Sequence, residues 1–162
     1  MNTSPLHLLI AGCATPEPAH APYGPFVCRR VALPALAATL ADARFDALLV
    51  EADGAAAERL VDDPLVRQAL QDSAVVVVLP QVGASLALAL VQAGVQEVLE
   101  AGEADPERLA RVLRAAIERK RLERHRRAAF ATDLETGLPN RAQLLEHLTH
   151  LLALREREPA PM

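Results

Sequence analysis

One stretch limits the possible folds more than any other: Phe45 to Gly54, FDALLVEADG. Ala47, Leu48, Leu49 and Val50 form an unbroken apolar run between Phe45-Asp46 and Glu51-Ala52-Asp53-Gly54, so both faces of the segment require burial. A central strand of a parallel sheet has this signature. In an open α/β sheet the residue at the carboxyl end of such a strand is delivered into the crevice where ligands bind. Here that residue is Glu51.

The chain has 162 residues, enough for one ordinary domain with an appendage. Hydrophobic residues make up 51% but aromatics only 2%, which predicts a core of alanine, leucine and valine in a globular chain. A net charge of -4 gives no overall attraction to nucleic acid or to an anionic membrane, and neither is expected as a partner. Cys13 and Cys28 lack C-x-x-C spacing, so a reducing cytoplasm is the expected location, and their spacing with His20 does not favour a zinc site. Ser73 to Gln96 carries no charge and by length could span a membrane. Pro80, Gln81 and Gly83 instead divide it into a β-branched strand and a short helix.

Taken in order, the pattern predicts a strand at Leu6–Ala11 and a broken segment at Thr15–Pro25. There Pro16, Pro18, Pro22 and Pro25 remove donors and clash with any preceding helical turn. The first helix covering the sheet is therefore expected to be shortened or missing, leaving apolar sheet surface for another element. A strand at Phe26–Ala32, a helix at Leu33–Ala43 and the central strand follow. A helical region at Ala55–Gln71 is interrupted near Pro64, with Asp62-Asp63 placed to cap rather than to bind metal. The strand Ala74–Leu79, the helix Ala84–Ala93 and the strand Gln96–Leu99 complete the set. Five strands alternating with helices predict a doubly wound α/β domain with a parallel sheet.

The segment Ala93 to Gly102, AGVQEVLEAG, resembles the end of a bacterial response-regulator receiver domain. Asp46 to Glu51, DALLVE, is similar to the receiver strand that ends in the phosphoacceptor aspartate, and the resemblance covers roughly residues 6–117. It implies a flavodoxin-like or receiver-like sheet. The departures bear on function. Where the resemblance implies an acidic pair for a divalent cation, this chain has Gly12 and Cys13. The phosphoacceptor position is Glu51, the hydroxyl position is Pro80, the lysine position is Ala101 followed by Gly102, and the aromatic switch position is Val98. Magnesium requires hard oxygen ligands, and phosphoryl transfer runs on positioning and charge neutralisation. These residues therefore form a degenerate phosphoacceptor site, with no metal, no cofactor and no catalytic residue expected. Glu51 is open to two roles, a strand-end carboxylate in solvent or a permanent stand-in for the phosphorylated state. Asp53 as a displaced phosphoacceptor would face the same lack of metal ligands.

A helix is predicted from Asp105 to about Ala131, with Leu109, Val112, Leu113, Ala116 and Ile117 on one stripe. Beyond Ile117 it becomes basic, Arg119 to Arg127. Without interleaved aromatic residues for base stacking, this run is expected to be solvated or paired with acidic surface. Lys120 and Arg127 fall where Leu109 and Leu113 would continue a coiled-coil seam.

Asp133 to Arg141, DLETGLPNR, resembles the motif that opens GGDEF domains of diguanylate cyclases and of their degenerate relatives fused to EAL phosphodiesterases. Gly137 and Pro139 form a turn, and Asn140 can cap a helix from Arg141 to Arg157 striped with Leu144, Leu145, Leu148, Leu151 and Leu152. The sequence ends before any catalytic loop of that family, so a fragment of a cyclic-di-GMP signalling protein is expected. The expected organisation is a receiver-like core at 1–104, a terminal and connecting helix at 105–131, and the start of a GGDEF domain at 132–162.

The expected function is a non-phosphorylatable regulatory and dimerisation module, itself no enzyme. Alternatives are a phosphorylation-controlled receiver of a diguanylate cyclase and a small-ligand sensor. Partners would be a second copy, the downstream GGDEF or EAL domain, or another protein. Pairing is expected through Leu109, Val112, Leu113, Ala116 and Ile117, or through Leu144, Leu148 and Leu152.

Overall fold

The computed structural model describes residues 4–131, with side chains up to residue 128. Strands β1 (Leu6–Ala11), β2 (Phe26–Val31), β3 (Ala47–Glu51), β4 (Ala74–Leu79) and β5 (Glu97–Glu100) form one sheet in the order β2-β1-β3-β4-β5. Every pairing is parallel. β3 lies in the middle, with Ala47 to Val50 wholly buried, as its unbroken apolar run requires. Its register sets Leu49 beside Ile10 of β1 and Val76 of β4.

Helices cover both faces. On one side lie α1 (Leu36–Asp42, after a 3-10 turn at Leu33–Ala35), α2 (Gly54–Asp62), α3 (Pro64–Asp72) and α4 (Ala84–Ala93). Leu36, Leu40, Ala57, Val66, Leu70 and Leu90 from these helices pack with Leu9, Leu48, Val50, Val75 and Val77 of the sheet. The predicted interruption falls at Asp63, whose Oδ1 accepts from the N–H groups of Leu65 (2.8 Å) and Val66 (3.3 Å), with Pro64 opening α3. The uncharged stretch resolves into β4 and α4, bounded as the sequence predicts. β5 starts one residue later than expected, at Glu97.

The other face is covered by α5 (Pro106–Ala131), through Leu109, Ala110, Leu113, Ala116 and Ile117. Between β1 and β2 no helix forms; Pro22 and Pro25 each follow a cis peptide bond. The missing helix does not leave the sheet bare, because Ala19 and Tyr23 of the loop pack on this face. The Ala19 N–H also donates to the Pro106 carbonyl at the head of α5 (2.8 Å).

The stripe on α5 corrects one expectation. Leu109, Leu113 and Ala116 have no exposed surface, Ile117 is nearly as enclosed, and Val112 is half-buried against the same cluster. These side chains form the core under the sheet and are not available to a partner. The expectation at Leu144, Leu148 and Leu152, with the whole segment 132–162, lies outside the described residues.

The basic run is likewise tied down where it begins. Lys120 is only 4% exposed, and its Nζ donates to the Leu70 carbonyl at 3.0 Å, one of the carbonyls left open at the end of α3. Arg119 reaches the Gln96 carbonyl (3.4 Å), and Arg121 pairs with Asp46 (3.4 Å). The chain divides after Arg121, and in the part of α5 beyond it Arg127 pairs with Glu123 one turn earlier (3.8 Å). No described helix is long and apolar enough to cross a membrane.

Candidate functional site

At the carboxyl end of the sheet β1, β3 and β4 release their chains around a cleft of about 600 Å³. Gly12, Cys13, Glu51 and Pro80 all line it, together with Arg30 of β2 and Asp53. The sheet thus brings four of the five predicted positions together. Ala101, exposed in the 3-10 turn after β5, is not among the lining residues. Val98 is half-buried against the core on the α1–α4 side.

Glu51 is the centre of this arrangement. Its side chain turns back across Gly12, and Oε2 accepts from the Ala14 N–H (2.9 Å), the Thr15 N–H (3.0 Å) and the Thr15 hydroxyl (3.2 Å). The sequence-based choice between a solvated carboxylate and a stand-in for phosphoaspartate is corrected by this geometry. The carboxylate is neither loose in solvent nor paired with a cation; it is the anchor of the β1–β2 loop. Partial burial pushes its pKa up. Donation from the Thr15 backbone, the Ala14 backbone, the Thr15 hydroxyl and the Cys13 backbone outweighs that and holds the carboxyl below its ordinary range.

Gly12 makes the approach possible. Its φ of 132° lies where side chains are strained, and a Cβ there would sit 2.5 Å from the Glu51 Cβ and 2.7 Å from Oε2. Arg30 holds the same loop from the other side, donating from Nη1 to the Gly12 carbonyl (3.1 Å) and from Nη2 to the Thr15 carbonyl (2.9 Å). Carboxylate and guanidinium together satisfy both polarities of the Gly12–Thr15 backbone, and Thr15 is buried as a result.

Asp53 serves the fold, because its Oδ1 accepts from the Ala56 N–H at 2.7 Å as the N-cap of α2. Pro80 ends β4 without a hydroxyl. Cys13 is an exposed free thiol, while the half-buried Cys28 thiol is pushed up in pKa by burial first and by Glu17 second, against the opposing charge of Arg30. Among the described residues, no group of three or more His, Cys, Asp or Glu side chains is placed to hold a metal ion.

Thr15 and Arg30 are the site residues that sequence reasoning missed. Nothing marks Thr15 in a proline-broken loop. Arg30 had one available signal, as a charge on a strand that pairs along its length with β1, one position from the strand's end.

No protein-family model matches this sequence, and no curated protein matches it. Solved structures do. A response regulator from Thermotoga maritima superposes with a TM-score of 0.52 at 16% identity, over 71% of this chain and 99% of that one. The pilus assembly protein CpaE from Caulobacter crescentus CB15 gives 0.49 at 23% identity, over 67% of this chain and 95% of its own. A response regulator protein from Burkholderia pseudomallei, with a phosphorylated aspartic acid, gives 0.46 at 13% identity, over 94% and 86%. The five-stranded parallel sheet and its helices, in the order seen here, are the α/β fold of a response-regulator receiver domain.

Proposed function

We propose that this chain is a receiver-like regulatory and dimerisation module that takes no phosphoryl group, within a cytoplasmic cyclic-di-GMP signalling protein. One observation carries the reading: the carboxylate at the phosphoacceptor position is engaged by the backbone of its own β1–β2 loop. In-line attack needs a free carboxylate oxygen beside a charge-neutralising cation. Three donors from residues 14 and 15 hold Oε2 and draw the Glu51 side chain back toward its own loop, and Gly12 and Cys13 offer no carboxylate for such a cation. The signal would then be carried by binding and pairing rather than by phosphorylation.

The cyclic-di-GMP context rests on DLETGLPNR at Asp133 to Arg141, with its similarity to the opening of GGDEF domains. On this reading α5 leads from the receiver-like unit into an output domain that makes, degrades or binds the dinucleotide.

The test is intact-mass spectrometry after incubation with acetyl phosphate and magnesium. The expected result is an unchanged mass. A stable phosphoryl adduct mapped to Glu51 or Asp53 would overturn the reading and restore the phosphorylation-controlled alternative. A small-ligand sensor has the cleft in its favour, since about 600 Å³ suits a small molecule. Its polar lining argues the other way, because Glu51, Arg30 and Asp53 are all already bonded within the chain.

A further inference from the structure

Strand β2 ends the sheet on one side, and its outer edge is open. The Leu6 N–H donates to the Pro25 carbonyl (2.9 Å) and the Gly12 N–H to the Val31 carbonyl (3.0 Å), so in this parallel register Val27 and Arg29 also turn their backbone toward β1. Phe26, Cys28 and Arg30 therefore turn theirs outward. His20 takes the Phe26 N–H through Nδ1 (3.3 Å). Among the described residues nothing takes the Phe26 carbonyl or the outward N–H and C=O groups of Cys28 and Arg30. Such a row of open backbone groups is a template for one more strand.

The side chains along this edge select what fits it. Phe26 and Cys28 lie on the α5 side of the sheet and Val31 on the α1–α4 side, so strand alternation puts Val27 and Arg29 on the side of Val31. Val27 is 48% exposed and Val31 half-buried. Between them Arg29 is exposed, with no hydrogen bond or ion pair among the described residues. His7 of β1, in register with Val27, is exposed as well, so this part of the face lies open. Apolar, cationic and apolar side chains thus alternate along one face of an edge strand. Side chains next to each other on neighbouring strands interact directly, and the complement is apolar, acidic, apolar. That pattern reads the same in both chain directions.

We propose that the open edge of β2 binds an extended acidic segment of another protein, added as a further strand with a carboxylate beside Arg29 and aliphatic side chains beside Val27 and Val31. Backbone hydrogen bonds to Cys28 and Arg30 would supply the attachment, and the alternating side chains the selectivity. A second copy of β2 fits less well. Centring a two-fold axis on Cys28 gathers Arg29 and Arg30 of both copies into one short ladder, and like charges there oppose pairing. Phe26–Val31 holds no acidic residue to offset them. Glu17 bears on the Cys28 thiol from outside the strand but pairs with neither arginine.

The inference rests on the proposed reading that the signal is carried by binding, but not on the state of Glu51. An edge that takes no strand would leave the phosphoryl reading standing, and a phosphoryl adduct would leave this edge unchanged.

Fluorescence anisotropy of a short labelled peptide titrated with the whole chain decides it. The probe has capped ends, glutamate at its centre, valine two positions to either side and threonine elsewhere. One companion carries lysine at the centre, and two more carry N-methyl groups on one or the other set of alternate amides. The expected result is saturable binding of the glutamate probe, at least about threefold weaker binding of the lysine probe, and loss of binding in one of the N-methylated probes. Arg29→Glu should reverse the order of the glutamate and lysine probes, with circular dichroism to verify folding. If that variant does not fold, Arg29→Ala should erase the preference. Absence of saturable binding overturns the proposal, as do equal binding of the lysine probe, an order unchanged by the Arg29 substitution, or full binding of both N-methylated probes. Proline at position 28 removes an N–H that β1 does not use. Self-association of the parent chain that Cys28→Pro abolishes would give the edge to a second copy and overturn the proposal as well.

Discussion

A single methylene distinguishes glutamate from aspartate, and at position 51 that extra reach lets the carboxylate fold back over Gly12 to the amides of residues 14 and 15. Hydrogen bonds to a charged group are worth roughly 1.5–3 kcal/mol each when well shielded, and less where water competes, as it does at this half-exposed site. Glu51→Gln is therefore expected to cost about 1–2 kcal/mol in urea unfolding at neutral pH. The folded pKa lies below the ordinary glutamate value of 4.5, so this stabilisation is complete above that value and disappears as pH falls through the folded pKa. Parent and variant should converge in acid; a gap that stays constant down to the acid limit would show that the charge plays no part. Gly12→Ala tests the same contact from the other side. With φ at 132° and a new Cβ against the Glu51 side chain, it should destabilise by about 2 kcal/mol or more, read from the shift in urea midpoint. A change within a few tenths of a kcal/mol would mean that the loop refits elsewhere. Neither contact was legible in the sequence. Both depend on where β1 and β3, more than thirty positions apart along the chain, are brought side by side.

The elements themselves were far more legible, because each announces its own burial. The β-branched run Ala74–Leu79 and the all-apolar Ala47–Val50 can only be strands buried on both faces, and prolines in the Thr15–Pro25 segment excluded a helix on covalent grounds alone. What failed was the assignment of α5's stripe to a partner. An apolar stripe shows that a face is buried and is silent on what buries it, and here the sheet does. Lys120 shows the same ambiguity in reverse. It lies three residues beyond Ile117 on the buried stripe, so the period had placed it correctly, while its charge argued for solvent. The aliphatic stem is enclosed and the ammonium caps α3 at the Leu70 carbonyl. Lys120→Met keeps the stem and removes the donor, and is expected to cost about 1–3 kcal/mol by leaving a buried carbonyl short of a partner. Amide exchange in the last turn of α3 should accelerate more than exchange in α1. A uniform change across both helices, or none, would show that Lys120 does not hold that helix end.

At the scale of the whole molecule, the two faces of the sheet are unequally protected. Four helices share the side of Leu48 and Val50, while the side of Leu49 and Val76 depends on α5, assisted by Ala19 and Tyr23 from a loop without regular structure. The proline-rich loop thus leaves α5 to cover what a second helix could have shared. Leu109, Leu113 and Ile117 are each nearly or wholly buried, and burial of such side chains contributes roughly 1.5–3 kcal/mol apiece. Their sum, about 5–9 kcal/mol, is comparable to the entire stability of an ordinary domain, about 5–15 kcal/mol. A chain ended at residue 104 should therefore fail to fold, giving no cooperative urea transition and no slow-exchanging amides in β3. A chain ended at residue 131 retains every buried contact between sheet and helices among the described residues and should unfold cooperatively, with a midpoint close to that of the full sequence. If the shorter chain kept a cooperative transition, the loop and the remaining sheet contacts would be sufficient to close that face, and α5 would be an attachment to the receiver-like core rather than half of its cover.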